Sequence, residues 1–262
     1  MPPHTLLVLV VVVMSAPQRT WGFAGVAASP KNLEALTPEG LKDESYEPPS
    51  WLRNGHLMTI YGAKRRIAPD FEYRRDLVRT PDGGTVSIDS QIDGERRLLV
   101  LLSGLGGGSQ DSYVKCMALA AKKRGYGVAV VNMRGCAETE VTSPRFFSAY
   151  RGSVDDVKLA VSILKEKHRP DKVAALGWSN SASITINLVS EADASAILDA
   201  ACALAAPLNM PASDAHLDQF FHRAVYDRNI ASGLAEKFRQ AQSLFVVDDD
   251  DDDQKEEHND DA

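Results

Sequence analysis

The chain has 262 residues, of which 44% are hydrophobic and 25% charged, a length and composition typical of a globular protein with one large or two small domains. Its formal net charge is -7, but residues 247–262 hold ten acidic residues and one lysine, so the rest of the chain is nearly neutral. The near-neutral charge of residues 1–246 argues against nucleic-acid binding, which requires basic residues clustered on one face. The charge run predicts a disordered acidic tail at residues 247–262.

The first predicted element is an apolar stretch at residues 6–14, which is too short to span a bilayer. It matches the hydrophobic region of a secretory signal peptide. We expect residues 1–24 to direct the chain into the secretory pathway; an organelle-targeting leader or a short anchor that associates with a membrane is the alternative. Residues 25–50 are rich in Pro, Ser, Glu and Lys and predict a linker.

Residues 51–246 have the pattern of a partial α/β domain. Two short alternating segments, residues 71–79 and 85–92, flank a Pro-Asp-Gly-Gly turn and predict a hairpin at a sheet edge. Continuous apolar runs then alternate with helical segments, which is typical of βαβ units in a mostly parallel sheet. The runs occupy residues 98–102, 128–131, 173–176 and 201–206, and the helical segments residues 112–123, 152–167 and 181–191. Beyond residue 207 the pattern is helical.

The main chemical signal is Ser179, at the centre of Gly-Trp-Ser-Asn-Ser between a predicted strand and a predicted helix. A nucleophile elbow has this context, because small residues two positions either side let the serine occupy a strained turn above the sheet. Gly177 fits the upstream position, whereas Ser181 stands where glycine is usual. The alternative is that Ser179 is only a polar residue capping the helix.

The second signal is the glycine-rich loop at residues 103–109, which follows the first long apolar run. In a serine hydrolase such a loop supplies one amide of the oxyanion hole, and the residue after the nucleophile supplies the other. Glycines in this loop, Gly104 among them, would let the backbone come close to a ligand, and the predicted donors are the N–H groups of Leu105 and Asn180. A dinucleotide pyrophosphate is a weaker alternative ligand, because the third glycine of G-x-G-x-x-G is missing.

The three cysteines, Cys116, Cys136 and Cys202, form no C-x-x-C pair and have no metal-like spacing with histidine. They are expected to be buried or partly buried free thiols. Hydrolysis by an activated serine requires neither a metal nor an organic cofactor, so we expect none.

Four ordered stretches resemble one family. Residues 54–59 are similar to its Asn-Pro-His-Leu-Gln-Thr signature, and residues 103–114 resemble its His-Gly-x-x-Gly-Gly-Ser loop with a following Ser-Tyr. Residues 130–150 resemble its Asn-x-Arg-Gly-Cys and Thr-x-Pro-Arg segments, and residues 177–189 resemble its elbow and the helix after it. The resemblance is to the AB hydrolase 4 family of the α/β-hydrolase superfamily, the YheT-like carboxylesterases.

This resemblance implies an α/β-hydrolase fold, a Ser-Asp-His triad with Ser179 as nucleophile, and small acyl-ester or lipid substrates of short or medium chain length. Ser103 replaces the family's histidine and Ser181 its elbow glycine. No position matches the acid or the histidine of the triad, so the chain resembles a truncated member that lacks the last two strands. We therefore expect impaired catalysis, or alternatively a non-catalytic protein that binds acyl ligands or a partner.

Two further expectations follow from the missing segments. His216 and His222 lie in a cap-like region and are weak candidates to replace the base. The other two histidines in this part of the chain are not expected to act as a base. His56 is expected to stabilise the N-terminal segment, and His168 is expected to lie at the end of the sheet opposite Ser179. The apolar strand that ends near Ala206 is expected to form an uncovered sheet edge.

Overall fold

The computed structural model describes residues 7–11, 48–148, 151–191 and 193–245 of the chain. The strands of this part form one sheet and are, in chain order, β1 (Leu7–Val11), β2 (Arg74–Arg79), β3 (Thr85–Gln91), β4 (Arg97–Leu102), β5 (Gly127–Asn132), β6 (Lys172–Trp178) and β7 (Ala200–Leu204). Their spatial order is β1-β7-β6-β4-β5-β3-β2. Strands β1, β7, β6, β4 and β5 are parallel to one another. Strand β3 is antiparallel to β5, and β2 is antiparallel to β3.

The helices precede, connect and follow these strands. They are α1 (Gly55–Arg65), α2 (Ser112–Lys123), α3 (Arg151–His168), α4 (Asn180–Ser190), α5 (Ala194–Ile197), α6 (Met210–Leu217), α7 (Phe220–His222) and α8 (Arg228–Gln240). A π-helical turn, Arg223–Asp227, joins α7 to α8 without a break. The predicted helix at residues 112–123 is confirmed at both ends. Gly125, at φ 74°, follows α2 in the left-handed conformation that commonly ends a helix.

The predicted hairpin is confirmed as β2 and β3, and β2 forms the edge of the sheet. The turn closes with the N–H of Thr80 donating to the carbonyl of Gly84 at 3.0 Å, and Gly83 has a φ of 77° that a glycine adopts without strain. The first strand begins at Arg74 and not at residue 71, because Phe71 is buried in the core beneath α2 instead of pairing with β3.

The core lies on both faces of the sheet, because neighbouring residues of a strand point in opposite directions. On one face Val100 of β4 packs with Val157 of α3 and Ile184 of α4. On the other face Leu101 of β4 packs with Val114 of α2. All five side chains have a relative exposure of 0%. The central strands are thus covered on both sides, as their continuous apolar runs predict.

The expectation of an uncovered edge at β7 is wrong. Backbone pairing in parallel register places Leu7 beside Ala200 and Val11 beside Leu204, so β1 covers the outer edge of β7. The strand also ends at Leu204, two residues before the predicted run ends. Downstream of it, the described residues are helical up to Phe245, apart from short connections.

Several predicted segments fall wholly or largely outside the described residues. Of the predicted leader at residues 1–24 the structure describes only Leu7–Val11, and of the predicted linker at residues 25–50 only the last three residues. The predicted acidic tail at residues 247–262 lies outside the described part altogether. Within that part, no helix combines the length and apolar character needed to cross a bilayer.

Candidate active site

Ser179 occupies the sharp turn between β6 and α4. Its φ of 53° and ψ of -120° are unusual for a residue other than glycine, and such strained residues cluster at functional sites. Its N–H donates to the carbonyl of Leu204 at 2.9 Å, which anchors the turn to β7, and its carbonyl accepts from the N–H of Ala182 at 2.9 Å. The side chain is exposed and forms no capping hydrogen bond with α4. The alternative of a simple helix cap therefore has no support in the geometry.

Gly177 and Ser181 make this turn sterically feasible. A Cβ at Gly177 would lie 2.7 Å from the carbonyl carbon of Ser181 and would also overlap its oxygen and the hydroxyl of Thr185. Ser181, in the position usual for glycine, is buried with 1% exposure. Its carbonyl accepts a hydrogen bond from the Thr185 hydroxyl at 2.8 Å. Serine is therefore accommodated downstream, whereas the upstream position has room for glycine only.

The glycine-rich loop at residues 103–109 lies beside this turn. A Cβ at Gly104 would be 3.6 Å from the Cβ of Ser179, so the two backbones approach closely here. The loop turns back on itself because the N–H of Gly107 donates to the carbonyl of Gly104 at 3.0 Å, with Gly106 at φ 69° between them. Ser103, before the first glycine, is buried with 4% exposure.

Two backbone amides at this point are available to a ligand. The N–H of Gly104 is already engaged, since it donates to the hydroxyl of Tyr113 at 2.9 Å. The N–H groups of Leu105 and Asn180, by contrast, donate to no acceptor among the residues that the structure describes. Asn180 is also the first residue of α4, where the helix dipole favours negative charge. The two amides could together bind an oxyanion.

A buried polar network holds the far end of the glycine loop. Asp89 of β3, with 2% exposure, accepts hydrogen bonds from Arg75 at 2.6 and 2.7 Å, from the Asn132 amide at 2.8 Å and from the hydroxyl of Ser109. The N–H of Ser109 donates to Asn132 at 2.9 Å. Burial alone would raise the pKa of Asp89, but the hydrogen bonds from Arg75, Ser109 and Asn132 outweigh it and hold that pKa below its ordinary value. Asp89 is therefore an ionised anchor for the loop.

Comparison with known proteins identifies relatives of the chain. No family model matches the sequence. The Embryogenesis-associated protein EMB8 of Picea glauca is 34% identical over 212 residues, which cover 74% of this chain and 45% of the relative. An abhydrolase domain-containing protein of Dictyostelium discoideum is 30% identical, covering 80% and 55%, and a monoacylglycerol lipase of Saccharomyces cerevisiae is 24% identical, covering 69% and 50%. The chain thus spans about half the length of the curated relatives it matches.

The fold agrees with these relatives. An esterase of Pyrococcus furiosus, Pf2001, superposes with a TM-score of 0.51 at 16% sequence identity, with 67% of this chain and 68% of the esterase covered. The chain belongs to the α/β-hydrolase superfamily. Its α/β-hydrolase fold is as predicted from the sequence, with β4 followed by the glycine-rich loop and β6 followed by the turn at Ser179.

The histidines that the structure describes form no hydrogen bond with Ser179. His56 Nδ1 lies 2.8 Å from the hydroxyl of Tyr226, and its ring centroid is 5.4 Å from that of His222. His222 Nδ1 in turn lies 2.8 Å from the carbonyl oxygen of His216. These three histidines therefore join α1 to the helices after β7. Among the described residues, no histidine or carboxylate hydrogen-bonds to the Ser179 side chain, and none matches a triad acid or base.

Helix α8 contacts the candidate site directly. The ammonium group of Lys237 in α8 donates to the carbonyl of Gly135 at 2.7 Å, and a Cβ at Gly106 would lie 3.6 Å from Lys237 Cε. Phe238 packs against Phe146 with ring centroids 6.1 Å apart. Helix α8, the third of the α-helices after β7, thus reaches the glycine-rich loop, as a cap would.

One cavity borders the glycine-rich loop, and a second lies next to the residues that follow it. The larger, of about 840 Å³, is lined by Gly106–Gly108 together with charged side chains that include Arg75, Asp89 and Glu138. The smaller, of about 420 Å³, lies between α1 and the start of α2. Neither includes Ser179 in its lining. Within the described residues, no group of three or more His, Cys, Asp or Glu side chains is arranged to hold a metal ion.

Sequence reasoning missed the residues that hold the loop in place. Asp89 lies in a segment interpreted only as half of a hairpin, whereas Asn132 is the asparagine of the stretch that resembles Asn-x-Arg-Gly-Cys but was given no role. Tyr113 did carry a signal, because it is the tyrosine of the Ser-Tyr pair that resembles the family motif. Lys237 had none, because a lysine on an amphipathic helix ordinarily faces solvent.

Proposed function

We propose that this chain is a serine hydrolase of carboxylic esters, a member of the AB hydrolase 4 family, with Ser179 as its nucleophile. The observation that carries the proposal is the strained, exposed Ser179, which forms no capping bond and lies beside two unpaired backbone amides. A structural serine has no need for this conformation, since a relaxed helix cap would avoid the strain.

In the proposed reaction Ser179 Oγ attacks the ester carbonyl carbon, and the carbonyl oxygen becomes an oxyanion. The N–H groups of Leu105 and Asn180 stabilise this negative charge. Collapse of the intermediate breaks the bond to the alcohol, which leaves with a proton, and an acyl-serine remains. Water then attacks the acyl-serine in the same way and releases the carboxylic acid, so no cofactor is consumed.

The proposed reaction requires a base to receive the Ser179 proton, and the described residues supply none. No described histidine or carboxylate bonds to Ser179, and loss of the base lowers turnover on the order of a million-fold in serine hydrolases. We therefore propose that this chain alone hydrolyses ordinary esters very slowly. Its residual reactivity comes from the oxyanion hole and from substrate binding.

The proposed substrates are small acyl esters, including lipid-derived ones of short or medium chain length. Two features support this choice: the resemblance of four sequence stretches to the AB hydrolase 4 carboxylesterases, and the likeness to a protein named as a monoacylglycerol lipase. The alternative is a non-catalytic protein of the same fold that binds an acyl ligand or a partner, and it is favoured because no described residue acts as a base beside Ser179.

Covalent labelling with a fluorophosphonate separates these two functions, because the reagent bonds only to a nucleophilic serine. We expect slow labelling of the wild type, with one adduct on Ser179 by intact mass and peptide mapping, and none in Ser179→Ala. Ser162→Ala is the matched control, since Ser162 lies exposed on α3 and bonds only to its own helix. A wild-type sample that is folded by circular dichroism and gains no adduct would support the binding protein instead.

A further inference from the structure

The hydroxyl of Tyr113 forms a bridge between the glycine-rich loop and Asp111. It accepts a hydrogen bond from the N–H of Gly104 at 2.9 Å and donates its own proton to Asp111 Oδ2 at 3.1 Å. Tyr113 lies in the first turn of α2, directly after the loop, and is partly buried. Burial, with the charge of Asp111 adding to it, raises the pKa of the Tyr113 hydroxyl above its ordinary value. The phenol therefore stays protonated and can donate to Asp111.

Asp111 holds the other end of the same loop. Its Oδ2 accepts a second hydrogen bond from the N–H of Gly108 at 3.0 Å. Asp111 occupies the N-cap position of α2, where a carboxylate usually accepts from the amides of its own helix, yet its side chain forms no capping bond. Its carboxylate faces the glycine loop, and a Cβ at Gly107 would collide with it. The loop is thus tied at Gly104 and at Gly108 to one carboxylate.

The ring of Tyr113 also contacts the strand that carries the nucleophile. It packs edge to face against Trp178, with centroids 5.0 Å apart and an interplanar angle of 73°. Trp178 is the residue immediately before Ser179, and a Cβ at Gly104 would lie 3.9 Å from the Trp178 carbonyl oxygen. The side chain of Tyr113 therefore contacts both the glycine-rich loop and the end of the strand that leads to Ser179.

These bonds also determine where the Leu105 N–H points. The Gly104 carbonyl and the Leu105 N–H belong to one trans peptide group, so they point in opposite directions. The carbonyl is fixed by the N–H of Gly107 at 3.0 Å, and the N–H of Gly104 is fixed by Tyr113. With both sides of Gly104 held, the direction of the Leu105 N–H is fixed as well.

We propose that Tyr113 and Asp111 form a clamp that positions the Leu105 N–H toward the oxyanion generated at Ser179. Both are positioning residues, since they act through the backbone of the loop and need not touch substrate. The inference rests on the proposed function, because an oxyanion forms only if Ser179 reacts. Without the clamp, Gly104 keeps only the hydrogen bond from Gly107 to its carbonyl and gains conformational freedom, so the oxyanion hole must be ordered during the reaction.

The test compares Tyr113→Phe with the wild type, since phenylalanine keeps the ring contact with Trp178 and removes only the hydroxyl. Fluorophosphonate labelling of Ser179 is measured at several reagent concentrations, which separates the inactivation rate constant from the reagent's binding constant. We expect the rate constant to fall about ten- to a hundred-fold with little change in binding, since a misplaced donor acts on the transition state. Asp111→Asn, which removes the charge and keeps the shape, should fall in the same direction.

Tyr126→Phe is the matched control, because Tyr126 lies away from the loop, with Arg97 Cζ 4.5 Å from the centroid of its ring. We expect Tyr126→Phe to be labelled at the wild-type rate. Labelling of Tyr113→Phe at the wild-type rate would overturn the clamp, as would a loss that is equal in Tyr126→Phe. The amide of Gly104, observed by NMR in protein labelled with 15N-glycine, is an independent readout. It should exchange faster with solvent in Tyr113→Phe, and an unchanged rate would also refute the clamp. If the wild type is not labelled at all, the proposed function fails while the Gly104 amide still decides whether the clamp exists.

Discussion

Replacing Gly177 by alanine tests whether the turn at Ser179 is as tight as its geometry indicates. The added Cβ would lie 2.7 Å from the carbonyl carbon of Ser181 and would overlap the Ser181 oxygen and the Thr185 hydroxyl. Two of these three atoms belong to the backbone of α4, which cannot rotate away as a flexible side chain would. Overpacking typically costs about 1–3 kcal/mol, and the backbone contacts place this substitution in the upper half of that range. We therefore expect the free energy of unfolding to fall by about 2–3 kcal/mol.

Urea unfolding followed by circular dichroism measures this loss, and Gly233→Ala is the matched control. Gly233 lies inside α8, and beyond its chain neighbours and the adjacent backbone of its own helix no described atom lies within 4 Å of the position that an added methyl group would take. The same chemical change should therefore raise stability there by up to about 1 kcal/mol through helix propensity. The two alanine variants should thus move in opposite directions. Equal or greater stability of Gly177→Ala relative to wild type would refute the steric reasoning.

Three further predictions concern buried groups. Asp156→Asn should destabilise the protein by about 1–3 kcal/mol in urea unfolding, because it removes one of the two carboxylates that pair with the guanidinium of Arg134, 2% exposed, and leaves Asp82 as the other; an unchanged free energy of unfolding would contradict this. The pKa of Asp89 is lowered in the folded protein, so its contribution to stability is present above the unfolded carboxyl pKa of about 3.9 and is lost as the pH falls from there through the folded-state pKa; the free energy of unfolding should therefore drop progressively below about pH 4 and not rise. Burial raises the pKa of Cys136 to about 12, so a thiol reagent at about pH 8 should modify the exposed Cys116 first and Cys136 only after unfolding, an order that peptide mass spectrometry reads directly.

Local patterns in the sequence predict the regular elements of this fold well. The segment at residues 112–123 is apolar at helical spacing and is followed by Gly125, so both ends of α2 can be predicted. The hairpin of β2 and β3 follows in the same way from alternation and from its glycine turn. In each case, the residues of the segment and of the adjacent turn are enough to predict the element.

Contacts between distant segments are much harder to predict from sequence. An apolar run such as Leu7–Val11 has the same composition in a targeting leader and in a buried strand, so periodicity alone cannot place it beside β7. His56 and Tyr226 are joined only because α1 and the π-helical turn meet in space. The sequence pattern points to His56, His216 and His222 one by one and does not indicate that they cluster together.

The distinction between a nucleophile elbow and a helix cap at Ser179 illustrates the same limit. Both interpretations require a serine between a strand and a helix, and both tolerate small neighbours. They differ in a backbone dihedral angle and in the direction of one hydroxyl, and neither quantity has a local sequence signature. The φ of 53° at Ser179 and its missing capping bond make the difference visible.

The order of the strands explains why the candidate site assembles where it does. The chain leaves β4 for β5 on one side and returns to β6 on the other, with α2 and α3 on opposite faces of the sheet. The carboxyl end of β4 is therefore a topological switch point, where open α/β sheets bind their ligands in the crevice between diverging connections. Because β4 and β6 are hydrogen-bonded neighbours, the loop after one and the turn after the other emerge side by side, which brings Gly104 against Ser179. An alternative order with β5 between them would give the same elements from the same local patterns and would separate the two amides of the proposed oxyanion hole.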